Sequence, residues 1–510
     1  MSRSLRVSPQ YISQVKQAVK RNGFPSQKAL AIESGLSLST VKSFLNGRPV
    51  DYLNFVEIAE KLGLDWQEIS QVNETNQQAV IPDNFFSYDS SWVGRDKLIV
   101  ELSQKLHHSC RLLLILGLTG MGKTALAERL AIELQDLIQS DWDSKVLRVN
   151  FDNEDKFTDF ATVAAGWLKK LGEQLLPAEE KPEILLNQLI KYLQNNPFLV
   201  LIDSMEKLLT ENEDGSWGDF SDQYWEQFFL RLLSAESSCQ SKLIATSQDL
   251  PVNFHRKAAR YNNFYQRHIL YGLDESEQEA LFEIEGLDIS QESEDRPILL
   301  RLGKAYKGHP LVLRVIIGEI NSHPFNGNVQ RYWNFQDVES EKEIKETIEE
   351  VEKNIADAEA GKTQGYDEWE LHKLTSEVYN RVNKARLEAV FNRLEKQVPD
   401  AHILICAASV YRIPVQQKGW LMQLAALVRR VEKIDCSKER QKKALKELLN
   451  RFLAETSFNH NDKRVLGQHN LVRSVALESH RNLIQKLPAK IQLELQAEMQ
   501  LELQAEMQSV

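Results

Sequence analysis

Residues 111–134 read RLLLILGLTGMGKTALAERLAIEL. A short apolar run, Leu112–Leu116, enters Gly117-x-x-x-x-Gly122-Lys123-Thr124, and an amphipathic stretch follows. Strand, glycine loop and helix in that order make a P-loop. The glycines let backbone N–H groups converge on phosphate oxygens, and the helix N-terminus adds partial positive charge at the same point. Gly117, Thr119, Gly120, Met121, Gly122, Lys123, Thr124 and Ala125 are therefore the candidate phosphate cradle. Lys123 is expected to reach the β- and γ-phosphates, and Thr124 to hold Mg2+. The ligand that these groups specify is ATP or ADP.

Further apolar runs repeat the strand signal. FLVLIDSMEKLL (198–209) ends its strand in Asp203, placed to order Mg2+. Ser204 follows, and Glu206 comes two positions later, either as a general base or as a solvated helix residue. SKLIATSQDLP (241–251) ends in polar residues, with Gln248 where a γ-phosphate sensor would sit, and VLRVNFD (146–152) supplies another strand. Strands alternating with helical stretches imply an α/β domain with a parallel sheet. Glutamine can hydrogen-bond to phosphate but cannot neutralise it. The run resembles P-loop NTPases, many of which carry a second acid after the strand-ending aspartate and an arginine at the end of the sensor strand. With Ser204 and Gln248 at those places, the resemblance implies a slow ATPase used as a switch, with Lys123, Asp203 and Glu206 as catalytic candidates.

The first seventy residues are helical in pattern. YISQVKQAVKRNG (11–23) puts Ile12, Val15, Ala18 and Val19 on one face, and Ser26 is a candidate N-cap for QKALAIESG. LSLSTVKSFLNGR then carries Leu38, Val41 and Leu45 at helical spacing, and YLNFVEIAEKLGL closes the unit. Two short helices joined by a tight glycine-containing turn are the helix-turn-helix pattern. Nine Lys/Arg against six Asp/Glu leave residues 1–70 at a net charge of +3, only mildly basic. The whole chain is at −11, so any nucleic-acid contact must be local. The module binds either DNA or a protein.

At 510 residues, with 42% apolar and 26% charged residues, the chain has room for several globular domains. No apolar stretch is long enough for a membrane span, and the N-terminus lacks a signal-like apolar core. Cys110, Cys239, Cys406 and Cys436 show no metal spacing and read as reduced thiols, which predicts a cytoplasmic protein with no membrane partner. Residues 339–360 place apolar side chains at helical spacing in an acidic helix that either packs on a neighbour or stands solvated. LELQAEMQ occurs twice in succession (493–508); its residues favour helix. GQHNLVRSVALE (467–478) sets His469 ahead of a helical run, either packed in a core or touching a ligand.

Two resemblances extend these readings. The order S-Q-x-x-L-A, G-x-S, V-x-x-x-L-N-G resembles phage-repressor-like helix-turn-helix proteins, which implies double-stranded DNA as a partner, with Ser39, Thr40, Lys42, Ser43 and Asn46 facing it and Arg48 near phosphate. The P-loop, Asp203 strand and sensor strand, with WVGRDKLIVELSQKL upstream and KGHPLVLRVIIGEI downstream, resemble the NB-ARC branch of the STAND NTPases. That resemblance implies that Val93, Gly94, Arg95 and Pro310 flank the adenine. It also implies that 387–482 form a winged helix whose Gln468-His469-Asn470 stands at a Met-His-Asp-type motif, His469 meeting the ADP β-phosphate. Asn470 replaces the usual aspartate.

The expected fold is multidomain: an all-α helix-turn-helix module (1–72), a linker (73–91), a P-loop NTPase domain with a parallel sheet (92–272), a helical subdomain (273–325), a charged helical insert (326–386), the winged helix (387–482) and a low-complexity helical tail (483–510). The implied activity is an ATP/ADP switch that couples nucleotide state to the N-terminal helices, self-associates with ATP bound and answers to a trigger or sensor partner that the sequence does not name. The rival is a scaffold of the same class whose N-terminal helices dock an effector protein. An ATP-driven DNA motor fits the winged helix and the Gln-His-Asn motif less well.

Overall fold

The computed structural model describes residues 4–458 and 464–485, except 9–10, 23, 25, 35, 37, 65, 72–91, 139–141, 153–158, 177–179, 212–216, 236–238, 336–352 and 354–367. The linker, nearly all of the acidic stretch 339–360 and the repeated tail lie outside the described residues. The chain divides into two compact units, one of 1–286 with 308–310, the other of 287–307 with 311–510.

The first unit begins with β1 (Ser4–Val7), α1 (Ile12–Arg21), α2 (Gln27–Ser34), α3 (Leu38–Leu45), β2 (Val50–Asp51), α4 (Tyr52–Lys61), α5 (Trp66–Ile69) and β3 (Ser70–Gln71). Ser26 caps α2 by accepting from the Ala29 N–H at 3.1 Å, as an N-cap serine should. Val15, Ala18, Val19, Val41 and Leu45 are buried with Leu30, Phe44, Phe55 and Ile58. The Phe44 and Phe55 rings meet edge-on at 4.8 Å. This module is not all-α: β1 pairs antiparallel with both β2 and β3, in the order β2-β1-β3. The chain's first strand thus closes the module onto residues far along the sequence.

A second sheet follows α6 (Asp96–His107). It contains β4 (Leu112–Leu116), β5 (Val146–Asn150), β6 (Leu199–Asp203), β9 (Lys242–Ser247) and β10 (Tyr265–Ile269), in the order β10-β4-β9-β6-β5 with every pair parallel. A hairpin, β7 (Leu209–Glu211) with β8 (Trp217–Phe220), lies outside it. Every residue of β4, β6 and β9 is buried, which is why they read as unbroken apolar runs. α7 (Lys123–Glu133) leaves the carboxyl end of β4, the edge of a parallel sheet where ligands bind.

The second unit is largely helical. Helices Pro399–Ala408, Gln417–Glu432, Lys438–Asn450 and Asn470–Gln485 surround a core of Leu404, Trp420, Leu424, Leu448, Val472 and others. A three-stranded antiparallel sheet, in the order β11 (Val415–Gln416), β13 (Arg464–Gly467), β12 (Glu455–Phe458), completes it. The boundary expected at 386/387 is corrected: one helix, Glu368–Gln397, runs across it.

Candidate functional site

The P-loop turns between β4 and α7. Gly122 is the N-cap of α7 at φ 86°, in the left-handed region, and no side chain caps the helix. Its first-turn N–H groups are therefore presented to whatever anion arrives. A Cβ on Gly122 would stand 3.2 Å from a guanidinium nitrogen of Arg95. Lys123 is enclosed by the loop, its Nζ donating to the carbonyls of Gly117 at 2.8 Å and Leu118 at 3.0 Å. Burial pushes its pKa below the ordinary lysine value, against the opposing pull of Glu206, Asp203, Asp152 and Asp249.

The end of β6 meets this loop. Thr124 Oγ1 donates to Asp203 Oδ1 at 3.0 Å. Asn150 Nδ2, from the end of β5, donates to Asp203 Oδ2 at 3.1 Å, and the Thr246 hydroxyl on β9 also donates to Asp203. Ser204 takes a left-handed φ of 61°. Its N–H donates to Thr246 Oγ1 at 3.0 Å and its hydroxyl donates to Asp152. Glu206 is not a solvated helix residue. It is buried in the 3-10 turn Met205–Leu208, where its two oxygens accept from the Gln248 N–H at 3.0 Å and Gln248 Nε2 at 2.7 Å. Thr119 Oγ1 donates to Gln248 Oε1 at 2.6 Å, so Gln248 ties the P-loop to Glu206.

A second set of contacts gathers the segments expected around the base. Arg95 is buried at φ 64°. Its N–H donates to Glu277 and its guanidinium to the Tyr271 carbonyl at 3.1 Å. Burial lowers its pKa to about 10, with the Glu277 charge opposing. Glu277 also closes a reciprocal capping box with Asp274 at the start of helix Glu275–Ile284. Gly308 packs so closely that a Cβ there would lie 2.0 Å from the Leu273 carbonyl oxygen. His309 Nε2–H donates to the Thr119 carbonyl at 2.9 Å. Val93–Gly94–Arg95 and Gly308–His309–Pro310 thus both adjoin the segment 271–278. Trp92 packs under the Arg129 guanidinium, 4.5 Å from the ring centroid.

Elsewhere, Lys42, Asn46 and Arg48 are exposed, Thr40 and Ser43 are half-buried, and the Ser39 side chain lies outside the described residues. His469, in the second unit, is half-buried; its Nδ1 accepts from the Leu471 N–H at 3.2 Å, which leaves the proton of a neutral ring on Nε2. Gln468 Nε2 donates to the Ile405 carbonyl at 2.8 Å.

Sequence reading missed Asn150, Asp152, Thr246, Glu277 and His309. The signal for the first three was present, as polar side chains at the carboxyl ends of apolar strands. A hydroxyl and a carboxylate 3.0 Å apart are hard oxygen donors and suit Mg2+, which takes one or two protein oxygens besides waters and phosphates. Among the described residues no group of three or more His, Cys, Asp and Glu could hold a metal, and no helix is long and apolar enough to cross a membrane.

Residues 106–251 match the family described as AAA domain. Over 371 residues, 64% of the chain, the sequence is 24% identical to an uncharacterized WD repeat-containing protein of Nostoc sp., and it spans only 28% of that protein's length. Among solved structures, a Signal Transduction ATPase with Numerous Domains (STAND) protein with a tetratricopeptide repeat sensor from Pyrococcus horikoshii is 14% identical. That pairing covers 81% of this chain and 48% of that one, with a TM-score of 0.40. The ORC2 protein of Aeropyrum pernix is 13% identical, covering 78% of this chain and 98% of that one, with a TM-score of 0.29. The family match over residues 106–251 and the parallel sheet show that the chain contains an AAA-type P-loop domain, an α/β nucleotide-binding domain.

Proposed function

We propose that the chain is a Mg2+-dependent ATP/ADP switch of the STAND class, NB-ARC branch, with slow ATPase activity. The observation that carries this is the junction of P-loop and β6, where Thr124 and Asp203 are already paired beside the half-buried Lys123. In this reading the backbone of 117–122 and Lys123 hold the β- and γ-phosphates, and Thr124 with Asp203 holds Mg2+. The metal supplies charge neutralisation between the phosphates. Val93, Gly94, Arg95 and Pro310 enclose the base, and Gln248 reports on the γ-phosphate through Thr119. Residues 387–482 act as a winged helix, with His469 donating from Nε2 to the ADP β-phosphate and favouring a closed state. ATP favours an open, self-associating state. The test is to identify the nucleotide that co-purifies, exchange it, and follow mass by light scattering. The reading expects larger assemblies with Mg2+-ATP than with Mg2+-ADP; the same mass in both overturns it.

His469 gives a sharper prediction. A charge-assisted hydrogen bond to phosphate contributes about 1.5–3 kcal/mol, so its loss should speed ADP release by roughly tenfold or more. His469 also caps helix Asn470–Gln485 through Leu471. His469→Asn keeps a capping acceptor and His469→Ala does not. Both should release ADP faster; an unchanged off-rate in His469→Asn returns this side chain to a purely capping role.

The N-terminal module, read as a helix-turn-helix, presents Lys42, Asn46 and Arg48 to double-stranded DNA, with Ser39, Thr40 and Ser43 beside them. Lys42→Ala and Arg48→Ala should each weaken DNA binding and lower the salt-dependence slope by about 0.9 per lost phosphate contact. Binding by the full chain that ignores salt and both substitutions would instead favour an effector protein as the partner of these helices.

A further inference from the structure

Hydrolysis needs an acceptor for the attacking water, and the position after the Asp203 carboxylate, where a second acid would stand, holds Ser204. Four carboxylates act electrostatically on Lys123: Glu206, Asp203, Asp152 and Asp249. Asp203 is engaged by Thr124, Thr246 and Asn150, which all donate to it, and is the carboxylate assigned to the metal. Glu206 is buried and held at both oxygens by Gln248. Asp249 lies beyond the end of β9, its backbone folded onto the Ser247 hydroxyl. Asp152 differs from all three. It stands two residues past the end of β5, whose last residue, Asn150, is in register with Asp203. It is half-exposed, and the Ser204 hydroxyl donates to its Oδ2. Its N–H is fixed on Asn150 Oδ1 at 2.9 Å, and its Oδ1 accepts nothing among the described residues.

We infer that Asp152 is the catalytic carboxylate of this chain, supplied from the strand beside β6 and aimed by Ser204, a positioning residue. The inference rests on the reading of the site as a Mg2+-ATP hydrolase. Asp152 Oδ1 orients the water and accepts its proton as the water oxygen bonds to the γ-phosphorus. The bridging P–O bond breaks, its electrons leave on ADP, inorganic phosphate forms, and the proton passes to solvent. Asn150 joins the two acids, accepting from Asp152 and donating to Asp203, so catalytic and metal-binding groups move together.

The experiment uses the full chain with Asp152→Asn, Asp152→Glu and Ser204→Ala. General-base groups contribute about 10²–10⁴-fold, so Asp152→Asn should slow single-turnover decay of bound ATP by roughly 100-fold or more, with ADP affinity held within about twofold. Asp152→Glu should restore part of the rate, and Ser204→Ala should lose less than Asp152→Asn. A second readout needs no turnover. The wild type should trap Mg2+, ADP and aluminium fluoride, which imitates the transferring phosphoryl with its water, whereas Asp152→Asn should not. Both should retain ADP with beryllium fluoride, which imitates ground-state ATP. Wild-type hydrolysis and trapping by Asp152→Asn overturn the inference. A wild-type chain that binds no nucleotide overturns instead the proposed function beneath it.

Discussion

Lys123→Ala should lose Mg2+-ATP and Mg2+-ADP affinity by roughly 10- to 100-fold, the equivalent of one charge-assisted hydrogen bond of about 1.5–3 kcal/mol. Two effects combine. The ammonium that faces phosphate is removed, and the carbonyls of Gly117 and Leu118, which it holds at 2.8 and 3.0 Å, lose their shared donor. The loop is then held on that side by the Thr119 contacts to Gln248 and His309. The measurement is thermal unfolding with and without Mg2+-ATP. A ligand at a hundred times its Kd stabilises by about 2.7 kcal/mol, and at the same concentration the variant should gain only about 0.4–1.4 kcal/mol. A variant that gains as much as the wild type would remove Lys123 from the phosphate site.

What the sequence made legible follows from burial. β4, β6 and β9 are enclosed on both faces and stand out as apolar runs. β10, Tyr265–Ile269, escaped notice because it is an edge strand whose middle residues, Gln266, Arg267 and His268, are only half-buried. β1 escaped for another reason: four residues carry little pattern, and their partners at Val50 and Ser70 are set by the tertiary fold. The start of helix Glu368–Gln397 was hidden by a charged sequence without a clear apolar stripe. In the site, the residues of the P-loop motif were readable because backbone geometry demands glycine at fixed spacing. Asp152 was not, since its meaning comes from the Ser204 hydroxyl, just past the end of the neighbouring strand β6. Gln248 was read as facing phosphate, yet its amide is spent on Glu206 and its oxygen on Thr119. A single side chain seen in sequence has no visible competitor for its hydrogen bonds.

Glu319→Ala should destabilise the chain by about 3–5 kcal/mol, the usual cost of breaking a buried ion pair from one side. Glu319 is fully buried in helix Pro310–Asn321. Arg393 grips it with two nitrogens, at 2.8 and 2.6 Å, and the buried Arg386 adds a contact at 3.4 Å. Arg451, also buried, acts on the same carboxylate while donating to the His323 carbonyl at 3.0 Å. Without the carboxylate, three guanidinium groups share a site that water barely reaches. Burial alone would raise the Glu319 pKa, but Arg393, then Arg386 and Arg451, outweigh it and hold the value below the ordinary 4.5. A folded-state pKa below the unfolded one means the carboxylate stabilises the fold above the unfolded value and loses that contribution as pH falls through the folded one. Urea unfolding at neutral pH should therefore separate wild type from Glu319→Ala widely, and the gap should narrow in acid. A loss below about 1 kcal/mol at neutral pH, within the range of ordinary substitutions, would mean that the three arginines find solvent or other partners when Glu319 is gone.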